Sequence, residues 1–154
     1  MSVRKMIESD DFEGIKKAVL AGEDINSTDR SGATALMRAV VKKDNEMIHW
    51  LLSHDANVNQ SEKDGWTALH FAAQEGFLEG IRLLLKNGVD VESKDAEGNT
   101  PLWRLSMSCP TVYAKNAADI LVEAGAKKDT KNNHDVSPED ISPELFKRIG
   151  VLTA

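Results

Sequence analysis

The chain repeats itself every 33 residues, and that period constrains its fold more than any other feature. Gly32-Ala33-Thr34-Ala35-Leu36 returns as Gly65-Trp66-Thr67-Ala68-Leu69 and again as Gly98-Asn99-Thr100-Pro101-Leu102. A second landmark keeps the same step: Gly22, Asp55 and Gly88 each close an apolar segment ending near Leu20, Leu52 and Leu85. The next copies, Asp135-Val136-Ser137-Pro138 and Gly125, arrive 37 residues later. Both landmarks shift together, so the four extra residues lie between Gly98 and Gly125. The period divides the 154 residues into an N-terminal cap (1–28), repeats 29–61 and 62–94, a longer repeat 95–131, and a C-terminal cap (132–154). A unit this short cannot bury its apolar face alone. It must stack on its neighbours, which makes the whole chain one domain without linkers.

The clearest unit, 62–94, shows what each copy does. Thr67 precedes Ala68, Leu69, Ala72 and Ala73, which recur at helical spacing, and its hydroxyl suits a helix cap. Gly76 ends that helix. Leu78, Ile81, Leu84 and Leu85 line a second, and Asn87-Gly88 stops it. The polar stretch from Val89 to Gly98 predicts an extended arm, with Val91 pointing inward, and a hairpin turn at Glu97-Gly98. Pro138 and Pro143 predict two short helices in the C-terminal cap.

These phased positions resemble the ankyrin repeat family over nearly the whole chain, most clearly in Asp64-Gly65-Trp66-Thr67-Ala68-Leu69-His70-Phe71-Ala72-Ala73 and Leu83-Leu84-Leu85-Lys86-Asn87-Gly88. The resemblance implies an all-α solenoid of stacked helix-turn-helix units joined by short hairpin turns. It also implies that His70 bridges turn and helix by hydrogen bonds. Met37 and Trp103 take its place in the flanking units, Lys43 replaces the Gly76-type glycine, and Asp55 replaces the Gly88-type glycine. These departures bear on local geometry, not on the fold.

Composition narrows the functions. Nineteen Lys and Arg against 25 Asp and Glu leave a formal charge of −6, which disfavours binding to nucleic acid. No apolar run is long enough for a membrane span. The single cysteine, Cys109, excludes an internal disulfide and a cysteine-rich metal site. His49, His54, His70 and His134 lack metal-ligand spacing, and no phosphate-binding loop or nucleophile–base pair stands out. No catalytic residue, metal or cofactor is expected. A cytoplasmic protein, monomeric when unbound, is.

The family resemblance implies a protein partner, held by turn tips and the exposed side of the first helices on a concave face. On this sequence the tips are Arg30, Ser31 and Ala33, then Lys63, Asp64 and Trp66, then Ala96, Glu97 and Asn99. The candidate contacts are Trp66, Phe71, Arg38, Arg104, Lys42, Glu75, Met107 and Tyr113. Aromatic and arginine side chains most often carry interface energy. Cations around two aromatics suggest an acidic or mixed partner surface. Trp50 and Trp103 read as more internal. The inserted stretch near Met107 to Asn116 reads either as a binding loop carrying Tyr113 or as a longer helix connection. The expected role is a cytoplasmic adaptor or regulator. The alternatives are an immunity protein blocking a cognate toxin, since the chain resembles compact bacterial ankyrin proteins, some of which are similar to immunity proteins, or an enzyme with an unforeseen site near Cys109.

Overall fold

The computed structural model describes residues 1–108 and 112–147. Ten helices occur among them: α1 (Val3–Glu8), α2 (Phe12–Leu20), α3 (Ala35–Val41), α4 (Asn45–Ser53), α5 (Ala68–Gln74), α6 (Leu78–Lys86), α7 (Pro101–Ser108), α8 (Val112–Glu123), α9 (Pro138–Ile141) and α10 (Pro143–Lys147). Extended pairing among the described residues is confined to isolated bridges, Thr28 with Thr34 and Ser61 with Thr67. The fold is an all-α solenoid. Helices α3, α5, α7 and α9 form one row, and α4, α6, α8 and α10 form the other.

The period sets the helix boundaries residue by residue. Helix α2 becomes α4 and then α6 on adding 33 twice, and α3 becomes α5 on adding it once. The cause lies in the caps. Asp11 and Asp44, 33 residues apart, accept the Gly14 and Met47 amides at the starts of α2 and α4. Thr34 and Thr100 cap α3 and α7 through their hydroxyls. The apolar faces then close on each other: Ile48, Leu51, Leu69, Ile81, Leu84, Leu102, Leu105 and Leu121 are all fully buried. Ala68, Ala72 and Ala73 are buried too, and their small side chains let α5 sit close to both neighbours.

Among the described residues, all those with positive φ fall into three positions of the repeat. One position holds Asp10, Lys43 and Gly76. The second holds Gly22, Asp55, Gly88 and Gly125. The third holds Gly32, Gly65, Gly98 and Asp135. The left-handed turn therefore belongs to the architecture, and a non-glycine there carries strain. Asp55, at φ 65°, is exposed. Asp55→Gly is expected to stabilise the chain by about 1 kcal/mol, a rise of roughly 2–4 °C in Tm by thermal unfolding. A lower Tm would contradict this account of the turn.

Hydrogen bonds join the units along two further lines. Across the turn tips, the amides of Lys63, Ala96 and Asn133 donate to the carbonyls of Ser31, Asp64 and Glu97. Behind them, the side chains of Asn26, Asn59 and Glu92 accept the amides of Asn57, Asp90 and Lys127 at 2.7, 2.7 and 2.8 Å. A Cβ on Gly65 would stand 2.9 Å from the Ala96 amide nitrogen, so only glycine lets adjacent tips approach this closely.

Two details differ from the sequence reading. Val89 is the buried anchor of its arm, whereas Val91 is half-buried. The four inserted residues lengthen helices. Helix α7 has 8 residues against 7 in α5, and α8 has 12 against 9 in α6. Residues 109–111, Cys109 among them, lie outside the described residues. Tyr113 belongs to the first turn of α8.

Candidate functional site

The tips and first helices form one side of the stack, where the repeat places equivalent residues side by side. Ala33, Trp66 and Asn99 share one position. Ala33 and Asn99 are buried, not exposed at the tips as the sequence suggested, because this position points back into the stack. An indole is too large to follow, and Trp66 stays half-exposed. Arg38, Phe71 and Arg104 share a second position, all half-buried. Val41, Gln74 and Met107 share a third, with Val41 44% and Met107 58% exposed. Lys42 and Glu75 share a fourth and are exposed.

Trp66 is the centre of a packed cluster. Its ring centroid lies 5.0 Å from that of Phe71 in a tilted arrangement. The Arg104 guanidinium stacks 4.3 Å from the indole centroid. Arg104 is itself fixed by Asp95, whose Oδ2 accepts from Nε at 3.0 Å and from Nη2 at 2.6 Å. The Asp95 side chain is fully buried. Its other oxygen accepts the Glu97 and Asn99 amides at 2.9 and 3.0 Å. One carboxylate thus shapes the third turn and holds the arginine that braces the tryptophan.

His70 supports this cluster from beneath and is fully buried. Its Nε2–H donates to the Asn99 carbonyl at 2.9 Å, which assigns the tautomer, since that oxygen can only accept. Nδ1 then accepts the Thr67 amide at 3.1 Å. The bridge therefore joins the turn and helix of one unit to the turn of the next. Burial, opposed in part by the bond to Asn99, holds the imidazole below its ordinary pKa. Trp103 takes the His70 position in the next unit. It is half-buried, and its Nε1 is buried without a hydrogen-bond partner.

Arg38 is seated differently from Arg104. Asp29 stands nine residues before Arg38, as Asp95 does before Arg104. Yet Arg38 reaches back to Asp10, donating Nε to Oδ1 at 2.8 Å and Nη2 to Oδ2 at 3.0 Å. Lys42 joins the same carboxylate at 3.3 Å. The Arg38 hydrogen bond, outweighing partial burial and aided by Lys42, holds Asp10 below the usual carboxylate range. Asp10 reaches them from the left-handed turn after α1. Neither carboxylate partner was singled out in the sequence. The offsets available there, nine residues to Asp29 or Asp95, describe Arg104 but not Arg38. Trp50, on α4, is half-buried and stacks on His54 with centroids 4.0 Å apart.

The helix pairs and turn tips are one repeating unit, and the comparison with known families identifies it. The family model described as "Ankyrin repeats (3 copies)" matches residues 5–95, more than half of the chain. The chain belongs to the ankyrin repeat family. No curated protein gives a match. Ankyrin repeats are generally protein–protein interaction modules and typically non-catalytic. Among the described residues, no three His, Cys, Asp or Glu side chains are grouped to hold a metal. No helix among them is long and apolar enough to cross a membrane.

Proposed function

We propose that this ankyrin stack is a cytoplasmic adaptor or regulator that binds a partner protein on its turn tips and first helices, centred on Trp66 and Phe71. The observation that carries the reading is the braced aromatic pair. Trp66 is held between Phe71 and Arg104, half-exposed, on the side where its equivalents Ala33 and Asn99 are buried. A side chain fixed before binding loses little entropy on complex formation, which favours affinity. Arg38, Lys42, Glu75, Met107 and Tyr113 are proposed as surrounding contacts, and the stack alone as monomeric.

The reading is tested by capture from native lysate with the chain and with a Trp66→Ala/Phe71→Ala variant. The variant is expected to lose the captured protein while keeping its helical circular dichroism. Retention of the same protein by a folded double variant would overturn the assigned face.

A further inference from the structure

The proposed face has more cations than its sequence neighbours would balance, but the fold brings carboxylates to them. Arg30 lies 3.5 Å from Glu8, Arg38 2.8 Å and Lys42 3.3 Å from Asp10, and Arg104 2.6 Å from Asp95. Glu75 stands at the Lys42 position of the next unit. Four cations thus pair with three carboxylates, and Glu75 adds a further acid to the same face, where Lys63 at the second tip is exposed. The Asp95 side chain is fully buried and the Asp10 side chain is 18% exposed, so neither is readily displaced by an incoming acid. Paired charges this close have a short-range field, which salt screens further, and they steer an acidic partner poorly.

Beside these pairs, the same side carries exposed apolar surface. Four large apolar side chains among the described residues are strongly exposed, and two of them, Val41 and Met107, sit at equivalent positions of α3 and α7. They flank the Trp66–Phe71 pair on α5 and its turn. Resting on the proposed binding face, we infer that the partner protein meets it with an uncharged apolar anchor, an aromatic or long aliphatic side chain seated against Trp66, Phe71 and Met107, and not with an acidic patch. The acidic or mixed partner surface suggested by the cations alone gives way to this reading.

The experiment is a ¹⁵N–¹H NMR titration of the full chain with two probes, N-acetyl-phenylalaninamide and acetyl-tetraglutamate, at low and high NaCl. The apolar probe is expected to move the amides of Gly65–Phe71 and Arg104–Ser108 equally at both salts, and tetraglutamate to leave them in place. In Asp10→Asn, where Arg38 and Lys42 lose their carboxylate, tetraglutamate should begin to move the amides of those two residues. Salt-sensitive shifts caused by tetraglutamate in the unmodified chain would overturn the inference. So would silence of the apolar probe, or no gain in Asp10→Asn. If the apolar probe is silent while Trp66→Ala/Phe71→Ala still abolishes capture, the anchor chemistry fails and the binding face stands. If the probe binds and the double variant still captures its protein, the binding face fails.

Discussion

Replacing Asp95 with alanine is expected to destabilise the protein by about 3–5 kcal/mol, among the largest effects of any single polar substitution in the chain. The substitution removes the acceptor for two backbone amides, Glu97 and Asn99, and for two nitrogens of Arg104. The carboxylate is fully buried, so water does not simply replace it. Asp29, the equivalent residue two repeats earlier, provides the internal control. It accepts the amides of Ser31 and Ala33 and the Ser31 hydroxyl, but no arginine bonds to it. Asp29→Ala is expected to cost only about 1–2 kcal/mol. Urea unfolding of the two variants compares them directly. Equal losses would mean that the arginine pair adds nothing. Adding Arg104→Met to Asp95→Ala should recover part of the loss by removing the unpaired guanidinium.

A loss of similar size, about 3–5 kcal/mol, is expected for His70→Ala. The variant opens a cavity and strands the Thr67 amide and the Asn99 carbonyl. The same residue predicts the response to acid. Its folded pKa is depressed by burial, so the unfolded chain binds a proton first as pH falls. Stability should be full above about pH 6.5, the ordinary histidine value, and decline as pH drops below it towards the folded value. Protonation would also place an N–H at Nδ1, facing the Thr67 amide that now donates to it. Asp10 acts in a separate, lower window. Its depressed pKa contributes stability above the ordinary carboxylate value that is lost as pH falls through the folded one. His70→Gln is expected to flatten the decline between neutral pH and pH 5 while leaving the steeper acid transition. A wild-type stability that is constant across that range would contradict the buried neutral imidazole.

The period made much of this legible. It placed the helix pairs and the turns between them, because each depends on residues fixed in register within one repeat, and the His70 bridge followed from the family resemblance. It placed the insertion between Gly98 and Gly125 but not within a helix, since lengthening α7 and α8 moves both later landmarks in the same way as a longer loop. Charge pairing was less accessible. Arg38 and Arg104 look identical in register, with an aspartate nine residues before each. Only in three dimensions does the left-handed turn at Asp10 bring a nearer seat to Arg38, 28 residues away in sequence. The burial of Ala33 and Asn99 was hidden for a related reason. Turn residues read as exposed until the neighbouring tip, bonded through Lys63 or Asn133, covers them.

The central claim is that the side bearing Trp66 and Phe71 is the binding side. Its most direct test is calorimetric titration of the captured protein into three forms of the chain: unmodified, Trp66→Ala/Phe71→Ala, and Arg82→Ala/Lys86→Ala on the exposed side of α6. The account predicts at least about a 100-fold loss of affinity for the aromatic variant, which stays folded at the titration temperature with a lowered Tm, and less than about a threefold change for the α6 variant. Undiminished affinity in the aromatic variant, or the greater loss in the α6 variant, would contradict it.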